Sequence, residues 1–234
     1  MAALKPLADR IALVTGASRG IGAALALHLA EAGAHIIAVA RTVGGLEELD
    51  DEIKSVGGSA TLVPLDIKDF EALDRLGASI FERWKKLDGF LGNAGVLGVL
   101  TPITHLQPKA FQELLDVNVT ANWRLIRSLD PLLKFSDAGR VVLVSSGLAR
   151  HPRPFWGGYA MSKAALESIG LTYAAECETT NVRVNLLNPG ATRTAMRAKA
   201  IPRSAAQFPQ GAAGSKDPRP AWLWRASWCG PDPD

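Results

Sequence analysis

A chain of 234 residues, 47% hydrophobic and with a formal net charge of only +3, can bury one large core and has an ordinary length for one α/β domain. Its lysines and arginines form no stripe that would track a phosphate backbone, so nucleic acid is excluded as an expected partner. Cys177 and Cys229 are too few and too far apart for a disulfide framework or metal knuckle, no run of about 18 uncharged apolar residues implies a membrane span, and Met1 to Asp9 lacks an apolar signal core; a cytoplasmic protein is expected.

The first apolar run, Ile11 to Val14, leads into Thr15-Gly16-Ala17-Ser18-Arg19-Gly20-Ile21-Gly22 and then into helical spacing through Leu25, Leu29 and Ala32. This reads as strand, glycine turn and helix. Glycines permit the tight turn and let backbone N–H groups approach a pyrophosphate at a helix N-terminus, where the dipole favours negative charge. The spacing is Gly-x-x-x-Gly-x-Gly, not the commoner Gly-x-Gly-x-x-Gly.

The second run, His35 to Val39, ends at Ala40 and Arg41, where dinucleotide-binding chains that read a free ribose 2′-hydroxyl usually carry an acidic residue. Arg41, with Arg19 in the glycine turn, offers guanidinium groups suited to a 2′-phosphate, which favours NADP(H) over NAD(H). The alternative for Arg41 is an ordinary solvated residue after a strand.

Further apolar runs follow at Ala60 to Pro64, Leu87 to Leu91, Arg140 to Val144 and Val182 to Leu187. Between them Leu46, Leu49, Ile53 and Val56, and then Phe70, Leu73, Leu76, Ile80 and Trp84, recur at helical steps. Alternating βαβ units imply a parallel sheet with helices on both faces. Pro108 opens a long helix through Leu114, Leu125 and Leu129, with Asn118 inside it.

After Ser145-Ser146 comes Gly158-Tyr-Ala-Met-Ser-Lys163. If residues 158 to 176 are helical, Tyr159 and Lys163 share a face, and a neighbouring ammonium favours the phenolate. A phenol of lowered pKa can exchange protons with a carbonyl or alcohol, so the pair reads as a general acid and base. His28, His35, His105 and His151 have no metal-ligand spacing, so no metal is expected.

Together these features resemble the short-chain dehydrogenase/reductase family in its compact, single-domain form, over about residues 8 to 199. The glycine turn, Asn93-Ala94-Gly95, Asn118, Ser146, Tyr159, Lys163 and the Pro189-Gly190 turn fall in the family's order, and the usual spacing of serine before tyrosine selects Ser146 over Ser145. The resemblance implies a Rossmann-like, three-layered, doubly wound sheet of order 3-2-1-4-5-6, with the cofactor across the carboxyl ends of the strands.

It further implies an oxidoreductase that interconverts a carbonyl and an alcohol. Ser146 would hydrogen-bond the substrate oxygen, Tyr159 would protonate it as hydride arrives from NADPH, Lys163 would lower the tyrosine pKa and contact the ribose, and Asn118 would support a water-linked proton relay. Cofactor contacts are implied for Gly16, Ser18, Arg19, Gly20, Ile21, Gly22, Arg41, Asp66, Ile67, Asn93, Ala94, Gly95, Tyr159, Lys163, Pro189, Gly190, Thr192 and Thr194. Asp66 reads equally as an adenine contact or as a helix cap near Lys68. Gly92 departs from the family's asparagine and is expected to loosen the sheet there. His151, Phe155 and Trp156 lie where the family's loop borders the substrate. Ala164, Ala165, Ser168 and Ile169 suit either a two-fold homodimer interface or intrachain packing.

The resemblance covers residues 1–199 as an NAD(P)-binding domain and leaves 200–234 as an irregular tail, with six prolines and Trp222, Trp224 and Trp228. The family's lid, helix and seventh strand have no counterpart in that tail, which points to a shifted reading frame near residue 201 or to a lineage-specific end. An alternative function follows: an NADP(H)-binding protein with little turnover. A sugar-nucleotide epimerase would need a larger substrate domain.

Overall fold

In a computed structural model of the chain, residues 5–200 are described. The expected tail and its missing seventh strand lie outside them from residue 201 on. Six strands form one parallel sheet in the order β3-β2-β1-β4-β5-β6, as the sequence implied. They are β1 (Ile11–Thr15), β2 (His35–Ala40), β3 (Ser59–Pro64), β4 (Gly89–Gly92), β5 (Arg140–Val144) and β6 (Arg183–Leu187). Between them run α1 (Gly20–Glu31), α2 (Val43–Ser55), α3 (Phe70–Trp84), α4 (Pro108–Leu115), α5 (Ala121–Phe135) and α6 (Gly157–Glu176), and a short α7 (Ala195–Ala200) follows β6.

Strand alternation divides the core into two layers. Ile11 and Leu13 of β1 and Ile37 and Val39 of β2 face a layer built with Leu73 and Ile80 of α3, Leu125 and Leu129 of α5 and Leu166 of α6. Ala12, Val14, Ile36 and Ala38 face the opposite layer, with Leu25 and Ala30 of α1 and Leu46, Leu49 and Ile53 of α2. Strands buried on both faces explain why the sequence shows continuous apolar runs there and not alternation. Each fully buried leucine or isoleucine contributes roughly 1.5–3 kcal/mol.

One expected helix is interrupted. Between α4 and α5, Asp116–Thr120 forms a π turn, a wider winding frequent at functional sites, and it contains Asn118. Asp88, just before β4, is buried at the amino ends of the strands. The glycine turn and Ser146 follow β1 and β5, so they stand at the opposite, carboxyl edge.

Candidate active site

The glycine turn takes the shape its residues require. Gly16 and Gly20 have φ of +64° and +61°, and a Cβ on Gly22 would lie 2.2 Å from the Gly16 carbonyl oxygen, so no larger residue fits that first turn of α1. Helix α1 starts with no capping side chain and no acid in its first turn, and Arg19 occupies its N-cap position in an extended conformation. Unneutralised N–H groups at a helix start, flanked by arginine, fit a pyrophosphate. Ser18 packs against Gly45 near the start of α2.

Thr15 holds this turn to β4, a role the sequence reading missed. Its buried hydroxyl donates to the Leu91 carbonyl at 3.3 Å and accepts from the backbone N–H groups of Asn93 and Ala94, each at 3.0 Å. Asn93 returns its amide to the carbonyls of Thr15 at 2.9 Å and Gly16 at 3.3 Å. The sequence signal was a polar residue ending an apolar run. Arg41 stands exposed after β2, with its guanidinium 3.9 Å from the Asp66 carboxylate. Asp66 accepts from the N–H of Lys68 at 3.0 Å, but the N-cap of α3 is Asp69, which accepts from Ala72. Ile67 beside it is buried.

At the other side of the cleft, Gly190 (φ +67°) opens a turn in which the Thr192 hydroxyl donates to the Pro189 carbonyl at 3.0 Å. Thr194 accepts from the N–H of Arg197 at 3.1 Å, within the start of α7. A Cβ on Gly20 would meet the Thr194 methyl at 3.6 Å, so the fold brings the two turns face to face across about 170 residues of sequence.

Ser146 and Tyr159 line one pocket, together with Ile21, Leu97, Leu148, Trp156, Asn188, Pro189, Gly190, Thr192, Thr194 and Met196. Trp156 also meets the Tyr159 ring edge-on at 6.4 Å between centroids. Of the loop residues singled out beside it, Phe155 is exposed and adopts φ +72°, and its carbonyl accepts from the N–H of Thr101 at 3.0 Å. His151 is exposed as well and, like Phe155, is not among the pocket-lining residues.

Lys163 lies behind the pair, buried in α6, and donates to the Val144 carbonyl at 2.7 Å. Its Nζ is 5.9 Å from the centre of the Tyr159 ring. Burial holds the Lys163 ammonium down to about 8. Burial likewise pushes the Tyr159 phenol up, and a hydrogen bond from Ser146 offsets this only in part. The expectation that Lys163 lowers the tyrosine is not met: the low-dielectric wall opposes both charges, and the net shift of the phenol is upward.

Asn118 is buried, not solvent-facing, and its side chain is held by three hydrogen bonds. Its amide donates to the Val96 carbonyl at 2.9 Å and the Ser162 hydroxyl at 2.8 Å, while its Oδ1 accepts from the N–H of Val96 at 2.8 Å. It ties the loop after Gly95 to α6, and the π turn aims it there. A Cβ on Gly95 would lie 3.1 Å from Asn118 Oδ1 and 3.5 Å from Lys163 Nζ, so this glycine keeps the space between them open.

At Gly92 the expected loose spot is closely packed. A Cβ there would fall 2.5 Å from Asn122 Oδ1 and 2.7 Å from a Leu143 methyl. The buried Asn122 of α5 fills the space from the opposite side and donates its amide to the Asn118 carbonyl at 3.0 Å.

With this geometry in place, the comparisons agree. The family model for short chain dehydrogenase matches residues 10–204. The uncharacterised oxidoreductase YciK of Escherichia coli K12 is 39% identical over 221 residues, covering 93% of this chain and 86% of its own. A short chain dehydrogenase from Escherichia coli CFT073, solved in complex with NADPH, superposes with a TM-score of 0.84 at 39% identity, covering 90% of this chain and 88% of that one. Another from Shigella flexneri, in complex with NADP, gives 0.84 at 38%, with 88% of each chain covered.

Proposed function

The chain belongs to the short-chain dehydrogenase/reductase family, and from that premise we propose that it is an NADP(H)-dependent oxidoreductase that reduces a ketone or aldehyde, or oxidises the matching alcohol, at Ser146 and Tyr159. The observation that carries this reading is the convergence of Ser146 and Tyr159 on one pocket, with Lys163 buried behind them and the glycine turn at its rim.

When bound, NADPH supplies the hydride. The residues that would hold it are those of the glycine turn, Arg41, Asp66, Ile67, Asn93, Ala94, Gly95, Lys163 and the 189–194 turn, and the donor set fits: unneutralised helix N–H groups and two arginines for phosphate. Arg41, where an acid would read a free ribose hydroxyl, supports NADP(H) over NAD(H).

Tyr159 gives its proton to the carbonyl oxygen as negative charge develops there, and the Ser146 hydroxyl donates a hydrogen bond to the same oxygen. An ordinary tyrosine is already protonated at neutral pH, and burial shifts Tyr159 further that way, so it carries the proton that reduction requires. The Lys163 ammonium would favour the phenolate left on Tyr159, and Asn118 acts here by positioning α6 and the Val96 loop.

The reading of a cofactor-binding protein with little turnover finds no support in the relatives, which are named oxidoreductases. Among the described residues no helix is long and apolar enough to cross a membrane. We also infer a homodimer through α6, where Met161, Ala164, Ser168, Leu171 and Ala175 form an exposed stripe at helical spacing.

Fluorescence titration with NADPH and NADH, followed by NADPH oxidation against a panel of aldehydes and ketones, tests the reading. Tyr159→Phe is expected to lose about a thousandfold in kcat with NADPH binding retained. Arg41→Ala is expected to weaken NADPH about tenfold and leave NADH unchanged. Equal affinity for both cofactors in the wild type would overturn the cofactor choice, and full activity of Tyr159→Phe would overturn the mechanism.

A further inference from the structure

Resting on the reading of Ser146 as the group that meets the substrate oxygen, we propose that Glu167 is a positioning residue. Its carboxylate clamps both flanks of the Ser146 turn onto the helix that carries Tyr159 and Lys163. Glu167 lies one helical turn beyond Lys163 in α6, with a side chain only 13% exposed. The buried Ser145 hydroxyl donates to its Oε1 at 2.7 Å, and Arg150 Nε donates to its Oε2 at 3.0 Å.

Ser145 and Arg150 bracket the turn. Inside it, the Ser146 hydroxyl accepts from the N–H of Leu148 at 3.3 Å, and the N–H groups of Ala149 and His151 donate to the carbonyls of Ser146 and Gly147, each at 3.0 Å. Helix α6 therefore grips consecutive residues at the end of β5 from positions four apart: Lys163 takes the Val144 carbonyl and Glu167 takes the Ser145 hydroxyl.

Both contacts are charge-assisted, but the Ser145 bond is the shorter and its donor is buried, so it dominates the clamp. The Arg150 side chain is 59% exposed, and its ion pair is correspondingly screened. That contact orients the second carboxylate oxygen and draws the far end of the turn, with the pocket-lining Leu148, toward α6. Without the clamp the Ser146 hydroxyl loses its fixed distance to Tyr159, and a misplacement of about 1 Å is enough to cost on the order of a hundredfold in rate.

The test compares Glu167→Ala, Glu167→Gln, Ser145→Ala and the double variant Ser145→Ala/Glu167→Ala in the full chain, by NADPH affinity, steady-state kinetics and hydrogen exchange. Glu167→Ala is expected to raise amide exchange across residues 145–150 about tenfold, with β1 to β4 unchanged. Its kcat is expected to fall about thirtyfold, with NADPH Kd unchanged and KM little affected. Glu167→Gln still accepts from Ser145 and should recover kcat to within about threefold of wild type. The double variant should be no worse than Glu167→Ala.

Unchanged exchange in the turn, or exchange raised evenly over the whole sheet, would overturn the proposal, as would a Gln variant no better than Ala. If the wild type binds NADPH but turns over no carbonyl, the reading of Ser146 fails, while the exchange data still decide whether Glu167 clamps the turn.

Discussion

At the amino ends of the strands Asp88 is buried among four donors, and at the carboxyl ends Lys163 is buried with one described hydrogen bond. Asp88, 5% exposed, accepts from Arg10 at 2.9 Å, Lys86 at 3.2 Å, Ser136 at 2.6 Å and the N–H of Ile11 at 2.9 Å. Burial alone would push this carboxyl up, but the donors from Ser136, Ile11, Arg10 and Lys86 together hold it below its usual range. Lys163, 4% exposed, has among the described residues one hydrogen bond, to the Val144 carbonyl, and burial drives it down to about 8. A buried charge met by several donors secures the fold, whereas one with few partners marks the place where chemistry is done.

The sharpest way to break this contrast is Lys163→Met. Activity is expected to fall about a thousandfold, while folding stability at neutral pH stays level or rises, because a costly buried ammonium has been replaced by apolar volume. The folded pKa of about 8 lies below the roughly 10.4 of an unfolded lysine, so the unfolded chain binds more protons between these values. The stability of the cofactor-free wild type should therefore rise with pH across that window, and that of Lys163→Met should not. Denaturant titrations at several pH values, read beside kcat, check both halves.

Asp88→Asn is expected to do the reverse. Removing one partner of a buried, hydrogen-bonded cluster costs about 3 kcal/mol in stability, visible as a lower urea midpoint, with kcat nearly unchanged below the melting range. Because the folded Asp88 pKa is depressed, its stabilisation is complete above the unfolded value near 3.9 and is lost as pH falls through the folded pKa. Acid melts of the wild type should converge on those of the variant.

The smallest effect is expected between the two ends. Gly92→Ala forces a methyl into contact with Asn122 and Leu143 and should cost about 1–3 kcal/mol. Adding Asn122→Ala should recover part of that stability, measured by a double-mutant cycle on urea unfolding, since it clears the nearer clash. The same pair tests whether Asn122, by holding the Asn118 carbonyl, fixes the π turn.

What the sequence alone determined is whatever repeats at short range. Apolar runs and helical spacing placed six strands and the Tyr159 helix within a residue or two, the βαβ alternation with the family resemblance gave the strand order, and local motifs pointed to the glycine turn, Tyr159 and Lys163, while the family's spacing chose Ser146 over Ser145. What only the tertiary structure decided depends on residues distant in the chain. Thr15 meets Ala94, Asn122 fills the space beside Gly92, and Glu167 reaches Ser145, and no periodicity encodes such meetings. The Tyr159 and Lys163 pKa values belong to the same class. Spacing put an ammonium near a phenol, but the wall around them set the sign of both shifts, because desolvation is a property of the packed interior and not of a sequence motif.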